Sequence, residues 1–214
     1  MKLIAPLYLL RHGETAWNTE RRMQGTRNSD LTERGRAQAQ AMGRALRIEL
    51  GRDPGATIFL RSPLGRAQET SLLVGRELGV DPDVWRDDPR LAELSYGAWE
   101  GLSWKEIEVD RPNALADWRA DPHGFCPPGG ESHADLRRRS EAVLADIIAS
   151  GTRTVVVGHG VSGAVLRGVN LGLDARAMFV LEKPQDAFFR LTHGTEERIL
   201  AAFATELTAG VNSD

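Results

Sequence analysis

The sequence predicts an α/β fold, with strands alternating with helices around a mostly parallel central sheet. Three observations predict it. Short apolar runs at residues 7–10, 57–60 and 154–157 each end abruptly in a turn carrying a histidine or an arginine. Each turn leads into a segment whose apolar residues recur at spacings of three and four, the mark of an amphipathic helix. The last run, Thr154-Val155-Val156-Val157, is β-branched, as suits a central parallel strand.

The first strand is read over residues 2–10. Pro6 cannot donate a ladder hydrogen bond, so the strand either starts at Leu7 or tolerates Pro6 near its beginning. Residues 11–31 read as a polar, glycine-containing loop. Thr32 is the expected N-cap of a helix whose face is Ala39, Met42, Leu46 and Leu50. Residues 51–55 are a turn and 57–60 the second strand. Ser62 and Pro63 then suggest a helix entry, serine at the cap and proline at the first position. Leu64, Ala67, Ser71, Val74 and Leu78 mark that helix's buried side, with Arg66 in its first turn.

Residues 79–131 are less regular, with short helices expected around 102–109 and 112–119. This stretch is read as an excursion or cap over the sheet edge, within a single domain of residues 1–214. A helix follows over 134–148, closed by Gly151. The strand at 154–157 ends in Gly158-His159-Gly160, and a short helix is expected over 161–169. Candidate edge strands lie at 178–181, 188–191 and 198–202, and residues 204–214 read as a frayed tail.

Composition narrows the function classes. Apolar residues make up 41% and charged residues 27%, ordinary for a globular chain. A formal net charge of -3 gives no basic surface for nucleic acid. The one cysteine, Cys126, can form no intrachain disulfide. No stretch approaches a membrane span, and the N-terminal apolar run is too short for a signal peptide's full pattern. A cytoplasmic protein without membrane or nucleic-acid partners is expected. A homodimer paired through an edge strand is compatible with the sequence.

The chemistry-bearing residues follow the strands. Arg11 and His12, then Arg66, then His159 each come just after a buried strand. If those strand ends lie together, two imidazoles and two guanidiniums converge on one crevice, where ligands bind in open α/β sheets. Arginine forks suit phosphoryl oxygens, and histidine offers a nucleophilic ring nitrogen. No glycine-rich, lysine-containing phosphate loop is present. The five histidines lack compact metal-ligand spacing, so neither metal nor cofactor is expected. A departing alcohol needs a proton donor, and Glu93 and Glu100 are the acids of interest. Residue type leaves Glu93 open between proton donor and surface acid. His123 and His133 are candidates for substrate contact, and Trp17, Trp99 and Trp104 for packing or a lid.

At this point a family resemblance carries further. Leu10-Arg11-His12-Gly13-Glu14-Thr15-Ala16-Trp17-Asn18 resembles the signature of the histidine phosphatase superfamily, in its phosphoglycerate-mutase-like branch. Ser62-Pro63-Leu64-Gly65-Arg66, Glu93 with Gly97-Ala98-Trp99-Glu100-Gly101, Pro128-Gly129-Gly130-Glu131-Ser132 and Gly158-His159-Gly160 follow in family order. The resemblance implies a three-layer αβα sandwich around a mostly parallel, mixed sheet. It implies His12 as nucleophile, with Arg11, Arg66 and His159 holding the phosphoryl group. Glu93 becomes proton donor and then water activator. Asn18, Gln24 and Gly25 match positions lining the phosphate pocket, Gly25 through a backbone donor. The implied activity is metal-independent hydrolysis of a small-molecule phosphomonoester. The segments 96–101 and 127–132 look more like the phosphatase members than the cofactor-dependent phosphoglycerate mutases. The mutase stays as the alternative, and a non-catalytic phospho-ligand-binding protein as a further one. Residues 181–186 match no part of the family pattern.

Overall fold

The structure is a computed structural model and describes residues 3–51 and 55–202. Its strands are β1 (Leu7–Arg11), β2 (Ile58–Arg61), β3 (Trp85–Asp87), β4 (Thr154–Gly158), β5 (Ala187–Thr192) and β6 (Thr195–Leu200). They form one sheet in the order β3-β2-β4-β1-β5-β6. The first four of that order pair in parallel, whereas β5 and β6 run antiparallel. The expected mostly parallel, mixed sheet is therefore present.

Helices cover both faces: α1 (Ala16–Thr19), α2 (Glu33–Leu50), α3 (Gly65–Leu78), α4 (Trp104–Asp110), α5 (Ala114–Ala120), α6 (His133–Ser150), α7 (Gly160–Leu171) and α8 (Ala175–Phe179). The period-2 alternation of the central strands divides the core. Tyr8, Leu10, Val155 and Val157 pack with Met42, Leu46 and Val74 of α2 and α3. Leu7, Leu9 and Val156 pack with Val143, Ile147 and Leu166 of α6 and α7. Leu7 and Leu10 are fully buried, so either one cut to alanine should cost about 2–5 kcal/mol. Among the described residues, no helix is long and apolar enough to cross a membrane.

Several local expectations need correction. The first strand begins at Leu7, after Pro6, and Lys2 lies outside the described residues, as do most of the 51–55 turn and the 204–214 tail. The second helix begins at Gly65 rather than at Pro63, and Ser62 does not cap it. Its first-turn donor Arg66 N–H, which has no partner within the helix, is satisfied from the distant loop by Asn28 Oδ1 at 2.9 Å. Residues 178–181 form no strand. Asp174 accepts from the Ala177 N–H and caps α8 there instead. The irregular stretch 79–131 also contains β3, a three-residue edge strand aligned through Phe59 and Trp85. Thr32 caps α2 as expected. Gly151, in the left-handed region, closes α6.

Candidate active site

The crevice forms where three parallel strands end side by side. Arg11 is in register with Gly158, and the next residue continues the pairing, His12 N–H donating to Gly158 O at 3.0 Å. Ser62 N–H donates to Val157 O at 3.0 Å beyond the end of β2. His12, His159, Arg66 and Glu93 are all buried here, Arg66 at 1% exposure. Glycines make the junction tight. A Cβ on Gly13 would lie 2.1 Å from the Gly35 carbonyl oxygen, so Gly13 serves backbone packing of the loop on α2. At Gly160 a Cβ would meet the Arg11 guanidinium at 3.3 Å, so this glycine makes room for the arginine.

The His12 ring has a fixed tautomer. Nδ1 lies 2.7 Å from the Gly13 carbonyl, which can only accept, so Nδ1 carries the hydrogen. Arg66 Nε donates to Nε2 at 3.3 Å, which requires a lone pair there. Burial, and then the charges of Arg11 and Arg66, push the His12 pKa well below its ordinary 6.5. The result is a neutral imidazole with the Nε2 lone pair on the crevice side.

His159 stands beside it, with ring centroids 5.2 Å apart. Its Nε2 lies 2.7 Å from Ser62 Oγ. Ser62 Oγ already accepts from Leu64 N–H at 3.3 Å. With one lone pair and its hydrogen still available, the hydroxyl can either donate to His159 Nε2 or accept from it. The other ring nitrogen, Nδ1, is buried and without a partner among the described residues. A buried polar nitrogen left so is costly unless a ligand pairs with it. Burial first, then Arg66, lowers the His159 pKa well below 6.5.

Both guanidiniums are held from behind by carbonyls. Arg66 donates to Arg27 O and Gly25 O, each at 2.7 Å. Burial lowers its pKa to about 10, which leaves it charged. Arg11 donates to Lys183 O, and its Nε is buried without a partner among the described residues. Burial lowers the Arg11 pKa as well.

Glu93 is drawn into the crevice by backbone donors. Oε1 accepts from Ser162 N–H at 2.8 Å and Leu94 N–H at 3.0 Å, and Oε2 from Val161 N–H at 3.0 Å. Two of these donors belong to the first turn of α7, where the helix dipole favours an acidic group. Arg139 holds the chain around Glu93 by donating to the carbonyls of Arg90, Ala92 and Glu93, and it pairs with Glu131. Glu93 is thus no surface acid. Glu100 has a different place. Its carboxylate gathers Thr26 and Arg27 N–H groups and the Tyr96 N–H, which shapes the loop behind Gly25.

Asn18, Gln24 and Gly25 line the same cavity of about 150 Å³ as Arg11, His12 and Arg66. Asn18 Oδ1 accepts from Thr15 N–H and from Gln185 Nε2, each at 3.1 Å, which leaves its NH₂ for a ligand. The Gln24 amide lies against Thr15 Oγ1 at 2.7 Å. The Gly25 carbonyl accepts from Arg66 at 2.7 Å and so braces an arginine of the same cavity.

Three contributors escaped the sequence reading. Ser62 pairs with His159 Nε2 but reads as a helix cap. Gln185, in the unmatched segment 181–186, braces the His12 loop by donating to His12 O at 3.1 Å as well as to Asn18. Lys183 lines the cavity beside Arg11. No local signal marks the last two. His123 lies away from this cavity, His133 lines a neighbouring one, and Trp17 stacks under Arg27 at 5.5 Å. Among the described residues, no group of three or more His, Cys, Asp or Glu side chains could hold a metal ion.

The profile of the histidine phosphatase superfamily (branch 1) matches residues 7–205. Glucosyl-3-phosphoglycerate phosphatase of Mycobacterium tuberculosis (strain CDC 1551 / Oshkosh) is 39% identical over 144 residues, 67% of this chain but only 60% of that protein's length. "Probable phosphoglycerate mutase GpmB" of Enterobacter sp. (strain 638) is 32% identical over 218 residues, 96% of this chain and 93% of its own. The solved structure of mycobacterial glucosyl-3-phosphoglycerate phosphatase complexed with VO3 has a TM-score of 0.75 and 31% identity, covering 93% of this chain and 98% of that one.

Proposed function

The chain belongs to the histidine phosphatase superfamily (branch 1), and we propose that it is a metal-independent phosphomonoesterase acting on a small phosphorylated metabolite through a phosphohistidine at His12. One observation carries the reading: a buried His12 whose Nε2 lone pair faces a crevice between two arginines and the buried, unpartnered Nδ1 of His159. The phosphatase relative supports the same class.

The steps follow from the groups present. The ester's phosphoryl oxygens draw Arg66 Nε–H away from His12 Nε2 and take the free donors of Arg11, His159 and Asn18. The lone pair on Nε2 attacks phosphorus as the bond to the alcohol oxygen breaks. Glu93 gives its proton to that leaving oxygen. Oε2 accepts from a single backbone donor, Val161 N–H, and so has lone-pair room to carry the proton. The alcohol departs. Glu93, now a carboxylate, takes a proton from water as the water oxygen attacks phosphorus. The N–P bond breaks, the pair returns to Nε2, and inorganic phosphate leaves. Charge developing on the transferring oxygens meets fixed cations and N–H dipoles in a low-dielectric site, the main source of rate in such chemistry.

The near full-length likeness to a probable phosphoglycerate mutase supports a second reading, in which a second phosphate-bearing substrate takes the group instead of water. Both are tested together. The protein is incubated with a panel of phosphomonoesters in the presence of chelator, beside His12→Ala. Phosphate release that His12→Ala abolishes is expected. No release from any ester, or undiminished release by the variant, overturns the hydrolase. Phosphoglycerate given with and without its bisphosphate decides the rest, since transfer far faster than hydrolysis identifies the mutase.

A further inference from the structure

A second, larger cavity of about 250 Å³ adjoins the phosphoryl crevice. The two share Met23, Tyr96, Val161 and Lys183 along their common wall. Whatever hangs from the phosphorus on that side enters the second cavity. Its far wall is aromatic. Trp104 and Trp118 have ring centroids 5.3 Å apart, and Trp118 meets Phe179 edge-on at 4.8 Å. Its base is Ala164 and Val165 of α7 with Met178 of α8. These rings are half-buried, although large aromatic side chains gain most when fully covered.

The polar groups on this lining are few. His133 stands beside Phe179, centroids 5.7 Å apart, with its pKa lowered chiefly by burial. Lys183 donates to Phe179 O at 3.1 Å and Leu181 O at 2.9 Å. An ammonium has three hydrogens, so one donor remains for an acceptor near the ester linkage. A polyol or sugar acid would set more hydroxyls against Trp118, Phe179 and Met178 than His133, Lys183 and the Tyr96 hydroxyl can pair, which costs binding energy at each one left over. A flat apolar group meets edges and faces of rings instead. An apolar cavity of roughly 150 Å³ takes benzene, so the volume here suits one or two fused rings.

From these features, and resting on the phosphomonoesterase reading above, we propose that the cavity between the 104–118 helices and α8 is the leaving-group subsite for an aromatic or heteroaromatic alcohol. The preferred substrate is then the phosphomonoester of an alcohol bearing a planar ring system. Trp118 and Phe179 supply the ring contacts. The closing group comes from the otherwise unmatched segment 181–186.

Aryl phosphates would confuse ring recognition with a better leaving group, so the test uses alkyl esters that differ only in a remote ring. The kcat/KM for 2-(1-naphthyl)ethyl phosphate is compared with that for ethyl phosphate. A ratio of about tenfold or more is expected, the worth of burying a ring-sized apolar group. Trp118→Ala should collapse the ratio toward one, and Phe179→Leu, a milder change, should lower it in the same direction. A wild-type ratio near one overturns the proposal, as does a ratio that both variants leave intact. Calorimetry with the matching non-hydrolysable phosphonates provides a readout that needs no turnover. The naphthyl compound should bind at least about tenfold tighter than ethylphosphonate. Equal affinities overturn the subsite even if no ester is cleaved, whereas tighter naphthyl binding without any phosphate release supports the subsite and rejects the phosphomonoesterase.

Discussion

The floor and the roof of the site are built by opposite means. On the floor, His12, His159, Arg66 and Glu93 are each buried and each tied by hydrogen bonds to backbone or neighbouring side chains at the strand ends. The roof, from Tyr96 to His133 and from α8 to Lys183, holds its side chains mainly by ring-on-ring contact. Rigid polar groups can pre-empt the reorganisation a reaction would otherwise require. Ring contacts can re-pack around different occupants at small cost. On the proposed function the floor sets the reaction and the roof the substrate, and mutations in the two should separate kinetically.

The largest effect belongs to the floor. His12→Ala should lower kcat/KM by about 10⁴-fold or more for every ester alike, because the covalent route is lost. Loss confined to some esters would break the division. Glu93→Gln should cost about 10²–10⁴-fold on alkyl esters. Its cost should be much smaller on 4-nitrophenyl phosphate, whose leaving group departs without a proton. Equal losses on both esters would remove Glu93 from the acid role.

Ser62→Ala should act through His159. With its Nε2 partner lost, kcat should fall roughly tenfold, less than the about 10²–10³-fold that an oxyanion donor removed outright costs, while KM changes less. A KM effect alone would make Ser62 merely structural. Gln185→Ala should weaken catalysis by only about threefold, the worth of a modest hydrogen bond between neutral groups. It is the sharper probe, since Gln185 reaches the floor from the roof side of the chain.

The smallest effect is one of pH. On the proposed route the neutral form of His12 attacks, and its pKa in the free protein is pushed well below 6.5. As pH falls through 6.5, kcat/KM corrected for the ester's own ionisation should therefore hold within about twofold, and decline only at lower pH. A midpoint at 6.5 would show an ordinary, solvated histidine. Stability has the matching sign. Below 6.5 the unfolded chain binds protons that the buried His12 and His159 refuse, so stability falls as acid is added in that window.

The same division explains what the sequence made legible. Arg11, His12, Arg66 and His159 lie directly after buried strands, so apolar periodicity and the family pattern located them together. Thr32 and Gly151 carry local cap chemistry that reads without context. Ser62 shows the limit: its Ser-Pro context is a true helix-entry signal, yet its hydroxyl is taken by His159, 97 residues away. The 178–181 run reads as a strand by composition, although Asp174 three residues before Ala177 was a legible helix cap. Nothing local could have joined Trp118, Phe179 and Lys183. They meet through tertiary packing of α5 and α8, and single-sequence patterns carry no such information. Gln185 is illegible for the same reason, its partners lying near the opposite end of the chain.

The covalent role of His12 is tested most directly by trapping. Glu93→Gln protein is mixed with 4-nitrophenyl phosphate in the presence of chelator and quenched in alkali, and the peptide containing His12 is examined by mass spectrometry. A single phosphoryl group on His12, formed as 4-nitrophenol is released, is the predicted result. Nitrophenol and phosphate appearing together in wild-type and variant protein, with His12 never phosphorylated, would contradict the account.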